Sequence, residues 1–142
     1  MKFEKIYEDS QLPIIKTEFS AGLDFYSREN VDIKPQKTVV VGLGVRSVFD
    51  ESEFQDGNNK FFLLELRSSL RMQGLTALGS GIIDMDYLGE WKEVICNLSN
   101  NIYTIKKGDR IAQAVMMSHM TGTLNEYKTF DTRKGGFGST GE

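Results

Sequence analysis

Short runs of β-branched and aromatic residues recur along the chain, and clusters of turn-forming residues separate them. KTVVVGLGVRSVF (37–49), KFFLLEL (60–66), EWKEVICNL (90–98), NIYTI (101–105) and IAQAVMM (111–117) each predict a strand. The turn signals are DGNN at 56–59, SNN at 99–101 and KKGD at 106–109. One stretch, SSLRMQG (68–74), predicts a short helix that opens on serine and stops on glycine. No helices of useful length alternate with the strands, which argues against a parallel doubly wound sheet. Many short strands instead predict an all-β fold, either closed or built from two sheets. The acidic stretch FDESEFQDGNN (49–59) reads as an exposed loop with a solvated surface. The hydrophobic pattern stops after KTF (128–130), dividing the chain into a β domain over 1–130 and a tail over 131–142.

Composition narrows the classes. A chain of 142 residues is long enough to bury a real core as one domain. The net charge of −3 supplies no general basic field for nucleic acid. Cys96 is the only cysteine, which rules out an internal disulfide and a multi-cysteine zinc site; it reads as a buried thiol in a reducing cytoplasm. The longest apolar run, around VVVGLGV, is far too short to span a bilayer, and MKFEKIYEDS lacks the apolar stretch of a signal peptide. NLS at Asn97 matches a glycosylation acceptor, but nothing supports secretion. His119 is the only histidine, and with no second imidazole it reads as a surface or core residue.

Several stretches carry candidate chemistry, each with a structural alternative. In GIIDMDYLG (81–89), Asp84 can orient and deprotonate a water, or the segment DMDYLG can simply be a hairpin turn. In LRSSL (66–70), Arg67 can fork to phosphate oxygens while Ser68 and Ser69 stand at a helix start that favours anions; the alternative is an ordinary serine N-cap. GDRIAQ (108–113) puts the polar Gln113 inside an apolar strand, and Asp109 or Arg110 can make a structural ion pair. AGLDFYS (21–27) places Asp24 between small and aromatic residues, where a strand-entry turn would also account for it. The tail RKGGFGSTG is not a P-loop, because Gly141 is followed by Glu142 and not by lysine. It can be a disordered end, yet a purely solvating tail has no use for Phe137. An arm that closes over a bound molecule uses every part of it: the ring stacks on a base, glycines let backbone reach phosphates, and hydroxyls and cations meet the terminal charge.

In this order the stretches resemble the homotrimeric-type dUTPases, which hydrolyse dUTP to dUMP and pyrophosphate. The resemblance runs from AGLDFYS (21–27) to GFGSTG (136–141), and the spacings from Tyr87 to Asn97 and from Asn97 to Gly108 fit the family's pattern. It implies a jelly-roll-like β barrel or sandwich with one short helix and a flexible glycine-rich C-terminal arm. It also implies a homotrimer whose three sites are each built from several subunits. On this resemblance Asp84 is the water-activating carboxylate, and Tyr87 packs on the deoxyribose and leaves no space for a 2′-hydroxyl. The backbone from Ser80 through Gly81 to Ile83 reads the polar edge of uracil, and the hairpin excludes a thymine methyl. Arg67, Ser68, Ser69 and Gln113 contact phosphates, and Asp24 holds Mg2+ through water. The metal would draw charge from the triphosphate and orient it for in-line attack at the α-phosphorus. Phe137 covers the uracil, Gly138 lets backbone approach the phosphates, and Ser139, Thr140 and Arg133 grip the γ-phosphate.

Three positions depart from the common pattern. Leu66 stands where many members have proline, Ser69 replaces a frequent glycine, and Arg133 precedes Phe137 by one residue fewer than in a common form, so Lys134 can share its role. A dCTP deaminase is the nearest rival on the same fold. Its chemistry needs a glutamate where this chain has Val94, and the neighbouring Glu93 would face the other way in a strand. A non-catalytic nucleotide- or partner-binding protein is the other alternative, and the intact Asp84 argues against it.

Overall fold

The computed structural model describes residues 2–48, 59–79 and 81–119. The acidic stretch at 49–58, Ser80, and the tail with Arg133, Lys134, Phe137, Gly138, Ser139 and Thr140 lie outside the described residues, as does the expected boundary at residue 130. The described strands are β1 (Lys2–Lys5), β2 (Ile14–Ile15), β3 (Leu23–Tyr26), β4 (Val31–Ile33), β5 (Thr38–Gly42), β6 (Val45–Val48), β7 (Asn59–Leu66), β8 (Leu75–Ala77), β9 (Gly81–Asp84), β10 (Lys92–Asn97), β11 (Tyr103–Ile105) and β12 (Arg110–His119), with one short helix, α1 (Ser68–Arg71), between β7 and β8.

Two sheets matter most for the site. The larger has the order β2-β3-β12-β7-β9, and a three-stranded sheet has the order β5-β10-β8; two strand pairs, β1-β6 and β11-β4, complete the fold. Every pairing is antiparallel, and neighbours within a sheet are mostly distant in sequence, as in jelly-roll-like folds. Alternation along each strand supplies the core. In β7, Phe62, Leu64 and Leu66 point inward, and Ala112 and Ala114 of β12 face Leu66 and Leu64 across the ladder. Val41 of β5 and Ile95 of β10 close the core from the smaller sheet. Trp91 is fully buried, with its ring 5.0 Å from both Phe25 and Phe62 and 5.1 Å from Phe3. Its indole N–H donates to Ser47 Oγ at 3.3 Å, so this large ring is buried with its polar atom satisfied.

The expected strands are present with altered limits. The run over 37–49 is two strands, because Gly44 adopts a φ of +69° and turns the chain between β5 and β6. The helix is shorter than 68–74, and its N-cap is Arg67, in extended conformation, with no side-chain cap. The serine N-cap expected there is therefore absent: Ser68 and Ser69 occupy the first helical positions with exposed side chains. Cys96 is half-buried, not buried, because it lies on the more open face of β10 while Ile95 and Asn97 take the inner one. Asn97 is fully buried, and its amide donates to the carbonyls of Ile33 at 2.7 Å and Asn101 at 2.8 Å, so it cannot serve as a glycosylation site. Among the described residues no helix is long and apolar enough to cross a membrane.

Candidate active site

Asp24 anchors one half of the site. It lies on β3 directly opposite Gln113 of β12 and is only 4% exposed. A carboxylate taken so far from water needs partners, and two guanidinium groups provide them. Arg110 Nη1 donates to Asp24 Oδ2 at 2.9 Å, and Arg67 Nε stands 3.7 Å from Asp24 Oδ1. Arg67 is fixed in turn by its backbone N–H, which donates to Ile111 O at 2.9 Å. The ion pair expected of Asp109 or Arg110 thus exists, but its acid is Asp24; Asp109 instead accepts the Lys106 backbone N–H at 2.8 Å. Asp24, Arg67, Ser68, Gln113, Lys16 and Ser20 line a cavity of about 220 Å³. In its lining one carboxylate stands against Arg67 and Lys16, and Arg110 adds its charge from behind Asp24, which leaves this cavity with an excess of positive charge, as a phosphate site requires. Ser69 faces away from it, into an adjoining cavity of about 300 Å³ that Arg67 and Arg110 also line.

The hairpin forms the other half. β9 pairs with β7 from Gly81↔Leu64 to Asp84↔Phe61, which puts Asp84 at the strand's end with its side chain exposed. Tyr87 N–H donates to Asp84 O at 3.1 Å, so the turn reading of DMDYLG is correct, and it does not compete with the chemical one. Gly81, Ile83, Asp84, Tyr87, Glu90, Trp91 and others line a cavity of about 230 Å³. Asp84 also borders a second cavity of about 240 Å³ with Phe61, Ile82 and His119, whose exposed ring packs 5.9 Å from that of Phe61. Where a deaminase would place its glutamate, Val94 is half-buried, and Glu93 points into the core, as strand alternation requires.

The two halves do not meet within one chain. In the larger sheet Asp24, Gln113 and Glu65 form one cross-strand row, and Asp84 and Phe61 belong to a row four residues along β7. Asp24 and Asp84 are therefore three strands and four residues apart, roughly 20 Å at about 4.8 Å per strand and 3.4 Å per residue. The α- and γ-phosphorus atoms of a triphosphate are separated by only two bridging oxygens and one phosphorus, so no single nucleotide spans both halves of one chain. Between the rows the same sheet face carries Leu63, Val115 and the exposed Ile82, an apolar strip that continues into Phe61 and Met117 of the Asp84 row.

The comparisons with known proteins give the family and the fold. A family model, dUTPase, matches residues 8–141. The chain belongs to the dUTPase family. Among its relatives, the deoxyuridine 5′-triphosphate nucleotidohydrolase of Nautilia profundicola is 37% identical, covering 100% of this chain and 99% of that protein. The one from Ehrlichia canis is 39% identical over 92% of this chain and 86% of its own. Solved structures confirm the fold. A mutant dUTPase from phage phi11 of S. aureus, described for its coordination of a structural Mg(II) ion, superposes with a TM-score of 0.79 at 22% identity, covering 92% of this chain and 98% of that one. The Staphylococcus bacteriophage 80alpha dUTPase with dUPNHPP does so with a TM-score of 0.79 at 24% identity, covering 99% and 98%. The expected jelly-roll-like all-β fold is thereby established for this dUTPase.

Sequence reasoning missed Lys16, Ser20 and Glu90 as wall residues. No motif marks Lys16 or Ser20. Glu90 directly follows the recognised hairpin segment, and its acidity was the one available signal.

Proposed function

We propose that this dUTPase hydrolyses dUTP to dUMP and pyrophosphate by attack of a water that Asp84 orients and deprotonates. The water oxygen bonds to the α-phosphorus, its proton passes to the Asp84 carboxylate, and the bond from the α-phosphorus to the bridging oxygen breaks, releasing pyrophosphate. The observation that supports this most is the exposed carboxylate of Asp84, set at the rim of a cavity walled by hairpin backbone and the Tyr87 ring. Gly81 and Ile83 offer backbone to the uracil edge, with Ser80 beside them in sequence, and Tyr87 fills the space a 2′-hydroxyl would need. Arg67, Ser68 and Gln113 take phosphate oxygens in the cationic cavity, and Ser69 does so from the far side of Arg67. Phe137 covers the base, while Gly138, Ser139, Thr140 and Arg133 close on the γ-phosphate, as a lid closes over its substrate.

Asp24 is the residue assigned to Mg2+. Both of its oxygens already face guanidinium groups, and among the described residues no group of three or more acidic or imidazole side chains forms a metal cage. This donor set fits a hydrated ion carried in on the triphosphate, with Asp24 accepting from its water shell, and does not fit an ion caged by protein. When bound, the metal neutralises triphosphate charge. Arg67 and Arg110 supply the protein's own share of that neutralisation.

Completing the site takes a second copy. The hairpin of one chain meets the cationic cavity of another in a homotrimer, with the apolar strip at Leu63, Ile82 and Val115 available for burial between copies. One experiment separates the rival activities. Purified protein is incubated with each deoxynucleoside triphosphate and magnesium. Pyrophosphate from dUTP alone is the expected result; ammonia from dCTP, or no product from any nucleotide, would replace this reading with deamination or simple binding.

A further inference from the structure

A tyrosine that measures a sugar must keep its ring in one place, yet Tyr87 belongs to a turn and is 45% exposed. Its anchors are few. The Tyr87 hydroxyl donates to the Glu90 carbonyl at 3.2 Å, and Ser47 Oγ donates to the Tyr87 carbonyl at 3.5 Å. The ring folds back over Gly89, where a Cβ would lie 2.4 Å from the Tyr87 oxygen. The ring's position therefore depends on where residue 90 is held.

Residue 90 is held twice: the Trp91 N–H, in the same peptide unit as the Glu90 carbonyl, donates to Val45 O at 2.9 Å, and the Glu90 side chain adds a second hold. Glu90 Oε1 accepts the Gly44 N–H at 3.0 Å and faces Arg28 Nε at 3.3 Å. The carboxylate sits in a niche that only small residues permit: a Cβ on Gly42 would stand 2.6 Å from Glu90 Oε1. Gly44 presents its N–H from a φ of +69°, which a larger side chain adopts only under strain. Arg28 is itself fixed, by its backbone N–H on Gly42 O at 3.0 Å and by the Tyr7 ring, whose centroid lies 4.4 Å from the guanidinium carbon. The Glu90 side chain is only 13% exposed, so little water competes for these contacts.

We infer that Glu90, clamped by the Gly44 N–H and Arg28, is a positioning residue for Tyr87, and that the clamp sets how strongly dUTP is preferred over UTP. The inference rests on the assignment of Tyr87 to the sugar. Glu90 touches no reacting atom. It acts together with the Trp91 N–H on Val45 O to fix the carbonyl on which the Tyr87 hydroxyl rests, so its loss loosens the wall of the sugar pocket and leaves Asp84 in its strand.

The test compares Glu90→Ala, Glu90→Gln, Tyr7→Leu and, as a control, Tyr87→Ala. kcat and KM are measured for dUTP and UTP by pyrophosphate release, and thermal unfolding is recorded for each protein. In Glu90→Ala the ratio of kcat/KM for dUTP over UTP should fall about tenfold, mainly through a higher KM for dUTP, with kcat within about threefold of the parent. Glu90→Gln keeps an acceptor for the Gly44 N–H and should stay within about threefold of the parent ratio. Tyr7→Leu removes only the ring beside Arg28 and should move the ratio the same way by less. If Glu90→Ala does not fold, Tyr7→Leu decides. An unchanged ratio in folded Glu90→Ala, or an equal loss of kcat on both substrates, would overturn the clamp. An unchanged ratio in Tyr87→Ala would instead overturn the sugar assignment and the inference with it.

Discussion

The cationic cavity and the hairpin solve opposite problems. Around Asp24 the carboxylate is buried and already satisfied: it holds two partly exposed guanidiniums in place, which would preorganise them for the phosphate proposed there. At the hairpin Asp84 is exposed and ends its strand. A binding site gains from being finished in advance. A carboxylate with the role proposed for Asp84 would gain from standing free until substrate binds. Changes at Asp84 should therefore alter chemistry without touching the fold, and changes at Asp24 should do both.

The largest expected effect is Asp84→Asn. Loss of the general base should lower kcat on dUTP by roughly 10³-fold, within the usual range for such groups, while KM and thermal stability stay near the parent values. Stopped-flow measurement of proton release would check it, and near-parental kcat would remove Asp84 from the role of base.

A mixing experiment tests whether the halves belong to one site. Arg67→Ala should also be nearly inactive, through loss of phosphate binding. A trimer site that takes its hairpin from one chain and its cationic cavity from another can be rebuilt from the two damaged parents. In an equal mixture the chance that a site draws an intact hairpin is one half, and so is the chance of an intact cationic cavity. About a quarter of the sites should then regain full activity. Co-refolding the two variants and assaying dUTP turnover measures this directly. Activity no higher than the two parents' mean would mean that each chain builds its own site.

Much of this division was legible in the residue order. The strands KFFLLEL and IAQAVMM read correctly because each is a long run rich in apolar residues, and the first also alternates its burial. The two-residue β2 and the three-residue β4 and β8 are too short for any periodicity to emerge, whereas the equally short β11 lies inside the run NIYTI that marked it. The run at 37–49 looked continuous because the β-branched pattern persists across Gly44, and only the positive φ reveals the turn. Asp84, Tyr87 and Arg67 were legible because their motifs are local. The Glu90 clamp was not, since its partner Gly44 lies 46 residues away. Nor was the pairing of Arg110 with Asp24, across 86 residues, which only the β3–β12 register creates.

Stability separates the halves next. Asp24→Asn leaves two guanidiniums without their carboxylate. Full burial would make such a loss worth several kcal/mol, but the arginines are about a third exposed, so a loss of about 2 kcal/mol is expected. Urea unfolding of Asp24→Asn and Asp84→Asn side by side gives the contrast; equal midpoints would erase it.

A third acid sharpens the comparison by being buried without what Asp24 has. Glu93 is 4% exposed, and its Oε1 accepts the Val94 N–H at 3.1 Å, but Oε2 is buried with no hydrogen-bond partner among the described residues. Burial raises its pKa to about 7; the Val94 N–H works against the rise, the nearby Glu65 carboxylate adds to it, and Arg71, which pairs with Glu65, opposes it slightly. The folded protein thus keeps the Glu93 proton up to about pH 7, while the unfolded chain releases it near 4.5, the ordinary value of a glutamate. Between those values the native state binds the extra proton, so stability is full below about pH 4.5, falls as pH rises, and has lost this contribution above pH 7. The whole fall is at most about 3.4 kcal/mol, from the interval between 4.5 and about 7 at 1.36 kcal/mol per pH unit. Glu93→Gln cannot lose a proton and should flatten this part of the curve. The variant should gain on the parent between pH 5 and pH 8 by about 2 kcal/mol in urea midpoints followed across that range, and parallel curves for the two proteins would show that Glu93 is already charged in the folded state.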